Sequence, residues 1–171
     1  MKSIVLSLLF GAVTFFQAAA QTDTVKLERI QLVFPAKVTL EDQGAAKRCQ
    51  LRLADSTANF LLIQTDLSTM GLDEATAIAM QGEPEFWEQT RTGLVAQMGD
   101  AKLIKDEMLD YKGTKVMQME LERPSKEGGI NRLTLRTLIV GTYMIQYGHT
   151  DRNGKANAQV REAFFSSLQI N

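Results

Sequence analysis

His149 is the only histidine in the 171-residue chain, and two other side chains of chemical interest lie close to it. Tyr147 and Asp151 lie two positions before and after it, near the end of a predicted strand. This spacing suits a general acid–base role of the kind that a hydrolase needs. No G-x-S-x-G motif accompanies it, and Ser166 and Ser167 lie in the predicted last helix. A buried or solvent-facing structural His149 is the competing interpretation, and a single histidine excludes a multi-histidine metal site.

A second candidate for acid–base chemistry is the pair Glu120 and Glu122. Both carboxylates fall on one face of a predicted strand, which would bring them close enough to act as an acid and a base. The alternative is a solvated strand face on which these carboxylates pair with Arg132 or Arg136 of the next strand. The hydrolase hypothesis therefore depends either on His149 with its neighbours or on this glutamate face.

The remaining reactive or aromatic residues have patterns more typical of structural roles than of catalysis or ligand binding. Cys49 is the only cysteine, so no disulfide forms within the chain, and its alternation with Leu51 and Leu53 predicts a buried position on a strand. Trp87 lies on the apolar face of a predicted helix, which favours a core or rim aromatic over a ligand contact. Glycine-rich phosphate loops and a complete calcium loop are absent from the sequence. We therefore predict no catalytic set, no cofactor and no metal.

The start of the chain has the pattern of a secretory signal peptide. Lys2 precedes an uncharged, largely apolar run over residues 4–16, and Ala18, Ala19 and Ala20 supply the small residues that signal peptidase requires. We expect cleavage after Ala20, with export to the periplasm or the medium. Gln21 would then be the first residue, where a lipoprotein would have cysteine, so neither a lipid anchor nor membrane insertion is expected after cleavage.

The rest of the chain, residues 21–171, has the size of one domain and contains no linker or repeat. Without Lys2 it carries 18 basic and 20 acidic residues, a net charge of −2. A chain of this charge lacks the concentrated lysine and arginine that nucleic-acid binding requires.

Hydrophobic periodicity predicts strands separated by two long helices in the middle and closed by a third. The predicted strands cover residues 30–34, 37–40, 49–54, 58–67, 102–109, 115–122, 132–140 and 143–150. The predicted helices cover residues 72–80, 85–98 and 157–168. The last four strands follow one another through short turns, which indicates an antiparallel meander. We expect the strand over 132–140 to pass under a helix.

This order of elements resembles the PsbP/Mog1/DcrB-like fold over nearly all of residues 21–171. The segments that carry the resemblance are Phe34-Pro35-Ala36-Lys37, Tyr111-Lys112-Gly113, Gly141-Thr142-Tyr143 and the ending Phe164-Phe165-Ser166-Ser167-Leu168-Gln169-Ile170. The resemblance implies an α+β fold in which an antiparallel sheet of six to seven strands packs between helices, an α-β-α sandwich. Proteins similar to it include a subunit of the oxygen-evolving complex, a binder of a small GTPase and exported bacterial proteins of unknown role. The motifs are structural, so no member's binding residues are carried over.

Three hypotheses about function follow. The first is an exported, non-enzymatic binding or accessory protein that holds an unknown protein or small ligand on its sheet face or in a helix–sheet crevice. Its candidate contact residues are Trp87, Arg136, Tyr147 and His149. The second is the hydrolase described above, and the third is a structural envelope protein without a ligand.

Overall fold

A computed structural model describes residues 22–171, which form ten strands, three α-helices and a short 3-10 helix. The predicted signal peptide over residues 1–20 lies outside the described residues. The strands are β1 (Asp23–Lys26), β2 (Ile30–Phe34), β3 (Leu40–Asp42), β4 (Ala46–Arg52), β5 (Ala58–Asp66), β6 (Lys102–Tyr111), β7 (Thr114–Pro124), β8 (Ile130–Val140), β9 (Tyr143–Arg152) and β10 (Gln169–Ile170). The helices are the 3-10 helix (Leu67–Met70), α1 (Glu74–Gly82), α2 (Pro84–Gln97) and α3 (Ala158–Ser166).

The larger sheet has seven antiparallel strands in the order β3-β4-β5-β9-β8-β7-β6. Strands β6 to β9 form the predicted meander, and their two tightest connections are two-residue turns. Lys112 and Gly113 have φ angles of 54° and 83°, the left-handed values that a type I′ turn requires at both positions. Gly141, with φ of 60°, begins the turn between β8 and β9. The meander and the α+β class predicted from the sequence are therefore confirmed.

A smaller, second sheet was not predicted. It has the order β1-β2-β10 and joins the beginning of the described chain to its end. The prediction of a strand over residues 37–40 was wrong except at Leu40. Val38 does not pair with a neighbouring strand, because it donates its N–H to the Asp23 carboxylate at 3.0 Å. The strand in this region, β3, begins at Leu40 and pairs with β4.

The two faces of the large sheet are covered by different helices. Helix α2 packs on the face formed by alternate residues of β7 and β8. The core between this helix and the sheet consists of Trp87, Leu94, Met117, Met119, Leu121 and Leu135. Helix α3 and the small sheet pack on the other face, where Phe34, Phe60, Tyr147, Phe164 and Phe165 share one core. Strand β8 thus passes under α2, as its sequence predicted.

Local signals in the sequence explain most of the helix ends. Asp73 accepts the N–H of Thr76 at 2.8 Å and caps the start of α1, while Pro84 occupies the first turn of α2. Helix α2 ends at Gln97, and Gly99 follows with a φ angle of 65°. Among residues 22–171, no helix combines the length and the apolar character needed to cross a membrane.

Helix α3 is shorter than predicted, because it ends at Ser166 and not at Leu168. The Ser167 hydroxyl donates to the carbonyl of Phe164 at 2.8 Å and accepts the N–H of Val33 at 3.0 Å. These two bonds end the helix and direct the last residues toward β2, with which β10 pairs.

Cys49 lies on β4 in the core between the sheet and α3, with no exposed surface. Burial raises the pKa of its thiol to about 11. The prediction that this cysteine is buried on a strand is therefore confirmed.

Candidate functional site

A polar groove lies between α3 and the sheet and encloses about 450 Å³. Its floor is the half of the α3-facing sheet surface that belongs to β7, β8 and β9, and its wall is α3. The groove exists because these strands carry polar residues at the alternate positions that face α3. Toward β5 the same face becomes apolar and closes against α3.

The strand register arranges the floor as three rows. Residues that face each other on neighbouring antiparallel strands have Cβ atoms about 5 Å apart, so each row is one line of side chains across the groove. The rows are Gln118, Arg136 and Tyr147; Glu120, Thr134 and His149; and Glu122, Arg132 and Asp151, and all of these residues except Tyr147 line the groove. The fold therefore places the candidate residues near His149 and those near Glu120 on one surface.

His149 lies at the inner edge of the groove and is 2% exposed. Its ring packs against Phe60, with 5.0 Å between the ring centroids. Burial, together with the positive charge of Arg161, lowers the pKa of His149 to about 4. Its Nε2 atom is buried and has no hydrogen-bond partner within residues 22–171. The imidazole is therefore neutral near pH 7 and lies against the cavity.

Neither neighbour forms a hydrogen bond with His149 in the described part of the chain. Asp151 accepts the backbone N–H of Ala156 at 3.0 Å, and the described part of the chain contains no hydrogen bond between Asp151 and His149. Tyr147 is 1% exposed, and burial raises the pKa of its hydroxyl. Because Tyr147 is buried and protonated, it lacks the access that a nucleophile or base requires.

Arg136 lies on β8, the middle strand of the floor. It donates from Nε to the Gln118 side chain at 2.8 Å, and its guanidinium carbon lies 4.6 Å from the ring centroid of Phe165 on α3. Gln118 in turn donates to Glu107 at 2.9 Å. Between residues 22 and 171 no carboxylate forms an ion pair with Arg136. This arginine is held in place by a neutral amide and an aromatic ring, and no carboxylate of the described residues binds it directly.

The two glutamates of the candidate pair have different surroundings. Glu122 forms an ion pair with Arg132 of the next strand at 2.9 Å, as the alternative interpretation of this face predicted. Glu120 has no ion pair or hydrogen bond through its carboxylate in the part of the chain that the structure describes. Lys105 is opposite Glu120 on β6, but its ammonium group binds Glu107 at 2.9 Å. Glu120 is therefore the anionic counterpart of Arg136 on the groove floor.

Helix α3 adds charges that the sequence analysis did not single out. Arg161 and Glu162 line the groove and bind each other at 2.9 Å, and Phe165 supports Arg136. The sequence shows only that Arg161, Glu162 and Phe165 lie in one stretch of this helix. Which strands they face depends on how α3 docks.

Trp87 does not belong to this group of residues. It lies on α2, on the opposite face of the sheet, is 7% exposed, and donates its indole N–H to the carbonyl of Gln81 at 2.9 Å. The structure therefore brings together Arg136, Tyr147 and His149 of the four candidate contact residues, and it places the fourth in the α2 core.

No protein-family profile matches this sequence, and no curated protein matches it. The solved structures similar to it include cyanobacterial PsbP (CyanoP) from Synechocystis sp. PCC 6803, with a TM-score of 0.54 and 15% identity over 95% of this chain and 99% of that one. A protein of unknown function from Pseudomonas aeruginosa, PA94, matches with a TM-score of 0.43 and 14% identity over 78% of this chain and 85% of the other. A structure from Bacteroides thetaiotaomicron has a TM-score of 0.47 and 13% identity over 83% of this chain, which spans 45% of that longer chain. The comparison with CyanoP shows that this chain has a PsbP-like fold, and at such low identity the similarity concerns the fold alone.

Proposed function

We propose that the protein is an exported, non-enzymatic binding or accessory protein of the PsbP/Mog1/DcrB-like type, and that the groove beside α3 is where it binds. The observation that carries this proposal is the pair Arg136 and Glu120. They are opposite charges on one groove floor, and neither has an ion-pair partner within the described residues. Charged groups held at a concave surface without a partner are suited to recognising the complementary charges of a ligand.

The register of the sheet indicates the spacing of those ligand charges. Arg136 is opposite Gln118, and Glu120 stands two residues beyond Gln118 on the same strand. Such diagonal neighbours are about 7–8 Å apart, and two residues of extended peptide span about 7 Å. The groove therefore suits a ligand whose anionic group binds Arg136 and whose cationic group binds Glu120, as the two ends of an extended dipeptide would.

A binding role is better supported than the hydrolase alternative. A hydrolase with a side-chain nucleophile needs a hydroxyl group near the floor, and among residues 22–171 those near it belong to Thr134, which is opposite His149, and to the buried Tyr147. Ser166 and Ser167 donate to backbone carbonyls of α3 and do not line the groove. Since His149 donates no hydrogen bond to Asp151 within the described residues, that carboxylate does not orient its imidazole.

The dipeptide Ala-Ala is expected to bind in the groove, and its N-acetylated, C-amidated form is expected to bind at least about tenfold more weakly because it lacks both charges. Titration of the 15N-labelled protein by NMR measures both affinities and shows which amides shift. Arg136→Gln and Glu120→Gln are each expected to weaken Ala-Ala binding about tenfold. Arg29→Gln serves as the control, because it removes the same positive charge as Arg136→Gln but at the end of β8 and β9 that is distant from the groove.

Two results would contradict the proposal. Equal binding of the charged and blocked peptides would show that Arg136 and Glu120 do not recognise the peptide charges. Amide shifts outside β7, β8, β9 and α3 would show that the peptide binds elsewhere. Free alanine released during the same titration would favour the hydrolase, so one experiment separates the two functions.

Export is a separate part of the proposal, supported by the apolar run over residues 4–16 and by Ala18 and Ala20. The protein recovered from the periplasm or the medium is expected to begin at Gln21, and intact-mass spectrometry measures this directly. Ala20→Phe removes the small residue at the cleavage site and is expected to cause the uncleaved precursor to accumulate. A full-length chain found only in the cytosol would contradict export.

A further inference from the structure

A second polar cavity, of about 520 Å³, lies on the face of the sheet opposite the groove. It lies beyond the last residues of α2, beside the loop that joins β7 to β8. Two rows of the sheet form its floor: Arg123, Asn131 and Arg152, and Arg52, Asn59 and Thr150. Because these side chains alternate with those of the groove floor, the two cavities are on opposite sides of the same strands.

The charges around this cavity are predominantly positive. Four cationic side chains line it, and the acidic ones are Asp100 and Glu127; the cations are Arg52, Arg123, Lys126 and Arg152. Arg152 binds Glu127 at 3.2 Å, and Arg52 donates to the neutral hydroxyl of Ser56 at 3.0 Å. Over residues 22–171, neither Arg123 nor Lys126 has an ion pair or a side-chain hydrogen bond. Cations gathered in one cavity repel one another, and an anion placed among them lowers that energy.

Uncharged polar groups on the floor also lack partners. The side-chain oxygens of Asn59 and Asn131 are buried and have no hydrogen bond within the described chain. Rotating the side-chain amide of either asparagine by 180° exchanges its oxygen for an NH2 group of almost the same shape. Both amides then offer N–H donors on the floor between the arginines. A buried polar group without a partner is one of the places where a bound water or ion is expected in proteins.

We infer that this cavity binds a small molecule through an oxyanion group of the phosphate or carboxylate class. Guanidinium groups offer pairs of parallel N–H donors that match two oxygens of such a group. Arg123 and Arg152 flank Asn131 in one row, so the anion lies over Asn131 and between the two arginines. Lys126, on the loop above them, supplies a further positive charge. This site is independent of the proposed ligand groove, since it shares no lining residue with it.

The test is a titration of the purified 15N-labelled protein with inorganic phosphate, and separately with citrate, at constant ionic strength maintained with chloride. At least one of the two anions is expected to shift the amides of residues 123–131 and 150–152. Arg123→Gln is expected to weaken that binding about tenfold, and Lys126→Gln to weaken it less. Both residues are exposed, so the substitutions leave the core intact. Arg29→Gln again removes one positive charge at the far end of β8 and β9, and it is expected to leave the affinity unchanged.

Vesicles distinguish a phosphate on a lipid from a phosphate on a soluble molecule. Cosedimentation with phosphatidylglycerol vesicles, but not with phosphatidylcholine vesicles, and its loss in Arg123→Gln would identify the lipid as the source. Binding of phosphate or citrate without cosedimentation would identify a soluble ligand. The inference is overturned if neither anion nor phosphatidylglycerol binds, or if Arg123→Gln and Arg29→Gln have the same effect. Either result leaves the groove proposal standing, because that proposal is tested with Ala-Ala.

Discussion

Replacement of Phe164 by alanine is expected to lower the free energy of unfolding by about 3–5 kcal/mol, the range typical of large aromatic side chains removed from a core. Phe164 is 2% exposed and connects the two sheets. Its ring centroid lies 5.4 Å from that of Phe34 in the small sheet and 4.9 Å from that of Phe60 in the large one. The substitution therefore leaves a cavity at the point where α3 holds both sheets together.

Urea unfolding of the wild type and the variant measures this loss, provided that the dependence on urea concentration stays the same. Phe164→Leu keeps most of the volume and is expected to cost less. Ile78→Ala on α1 removes an apolar side chain that is 54% exposed, and a change of about 0.5 kcal/mol or less is expected. If Phe164→Ala cost no more than Ile78→Ala, the packing of α3 between the sheets would be wrong.

His149 is expected to make the protein less stable as the pH falls from about 6.5 to about 4. The ordinary pKa of histidine, 6.5, applies to the unfolded chain, and the folded protein lowers it to about 4 because burial and Arg161 disfavour the charged ring. Above pH 6.5 the imidazole is neutral in both the folded and the unfolded chain, so it does not change their balance. Between these two values the unfolded chain binds a proton that the folded chain does not, and unfolding becomes easier.

The loss attributable to His149 is expected to reach about 3 kcal/mol below pH 4. The acidic groups that face the ring, Asp151 and Glu162, act in the opposite direction and are already included in the lowered pKa. His149→Gln removes the titrating group while keeping a polar side chain. The difference in unfolding free energy between wild type and variant, measured from pH 7 to pH 4, isolates the contribution of this residue from that of the carboxylates.

Because the chain has one histidine, NMR gives a direct check. The imidazole C–H signals of the folded protein are expected to stay at their neutral positions down to about pH 5. A midpoint near 6.5 would mean that the ring is solvated, and it would contradict the burial of His149 under α3. A pH dependence of stability that is the same in His149→Gln and in the wild type would lead to the same conclusion.

The binding residues and the stabilising residues are neighbours in this fold. Phe165, next to Phe164 on α3, supports the guanidinium of Arg136, with 4.6 Å between that group and the ring. A ligand bound at Arg136, as proposed, would be coupled to the docking of α3 and would stabilise the folded protein by mass action. A groove ligand is therefore expected to raise the free energy of unfolding of the wild type by at least as much as that of Phe164→Leu, since this stabilisation depends only on ligand concentration and affinity.

Local patterns along the chain were sufficient to predict the elements whose contacts are local. Alternation of polar and apolar residues along 102–150, interrupted at Lys112-Gly113 and Gly141-Thr142, was enough to predict the four-stranded meander. Asp73 and Pro84 marked the starts of α1 and α2, because the cap and the proline ring act on the nearest turn. The same alternation correctly divided β7 into a polar face with Glu120 and an apolar face with Met119.

Which of these faces meet depends on contacts between segments that are far apart in the chain. Strands β1, β3 and β10 are short and depend on pairing between distant segments, so their own sequences carried too little signal. The period of two shows which residues of one strand share a face, but not the register with the next strand or the helix that covers them. The groove of Glu120, Arg136 and His149, and the basic cavity in which Arg52 lies near Arg152, follow from register and helix docking. Those long-range contacts are set by the packing of the whole core, which no local pattern in the chain encodes.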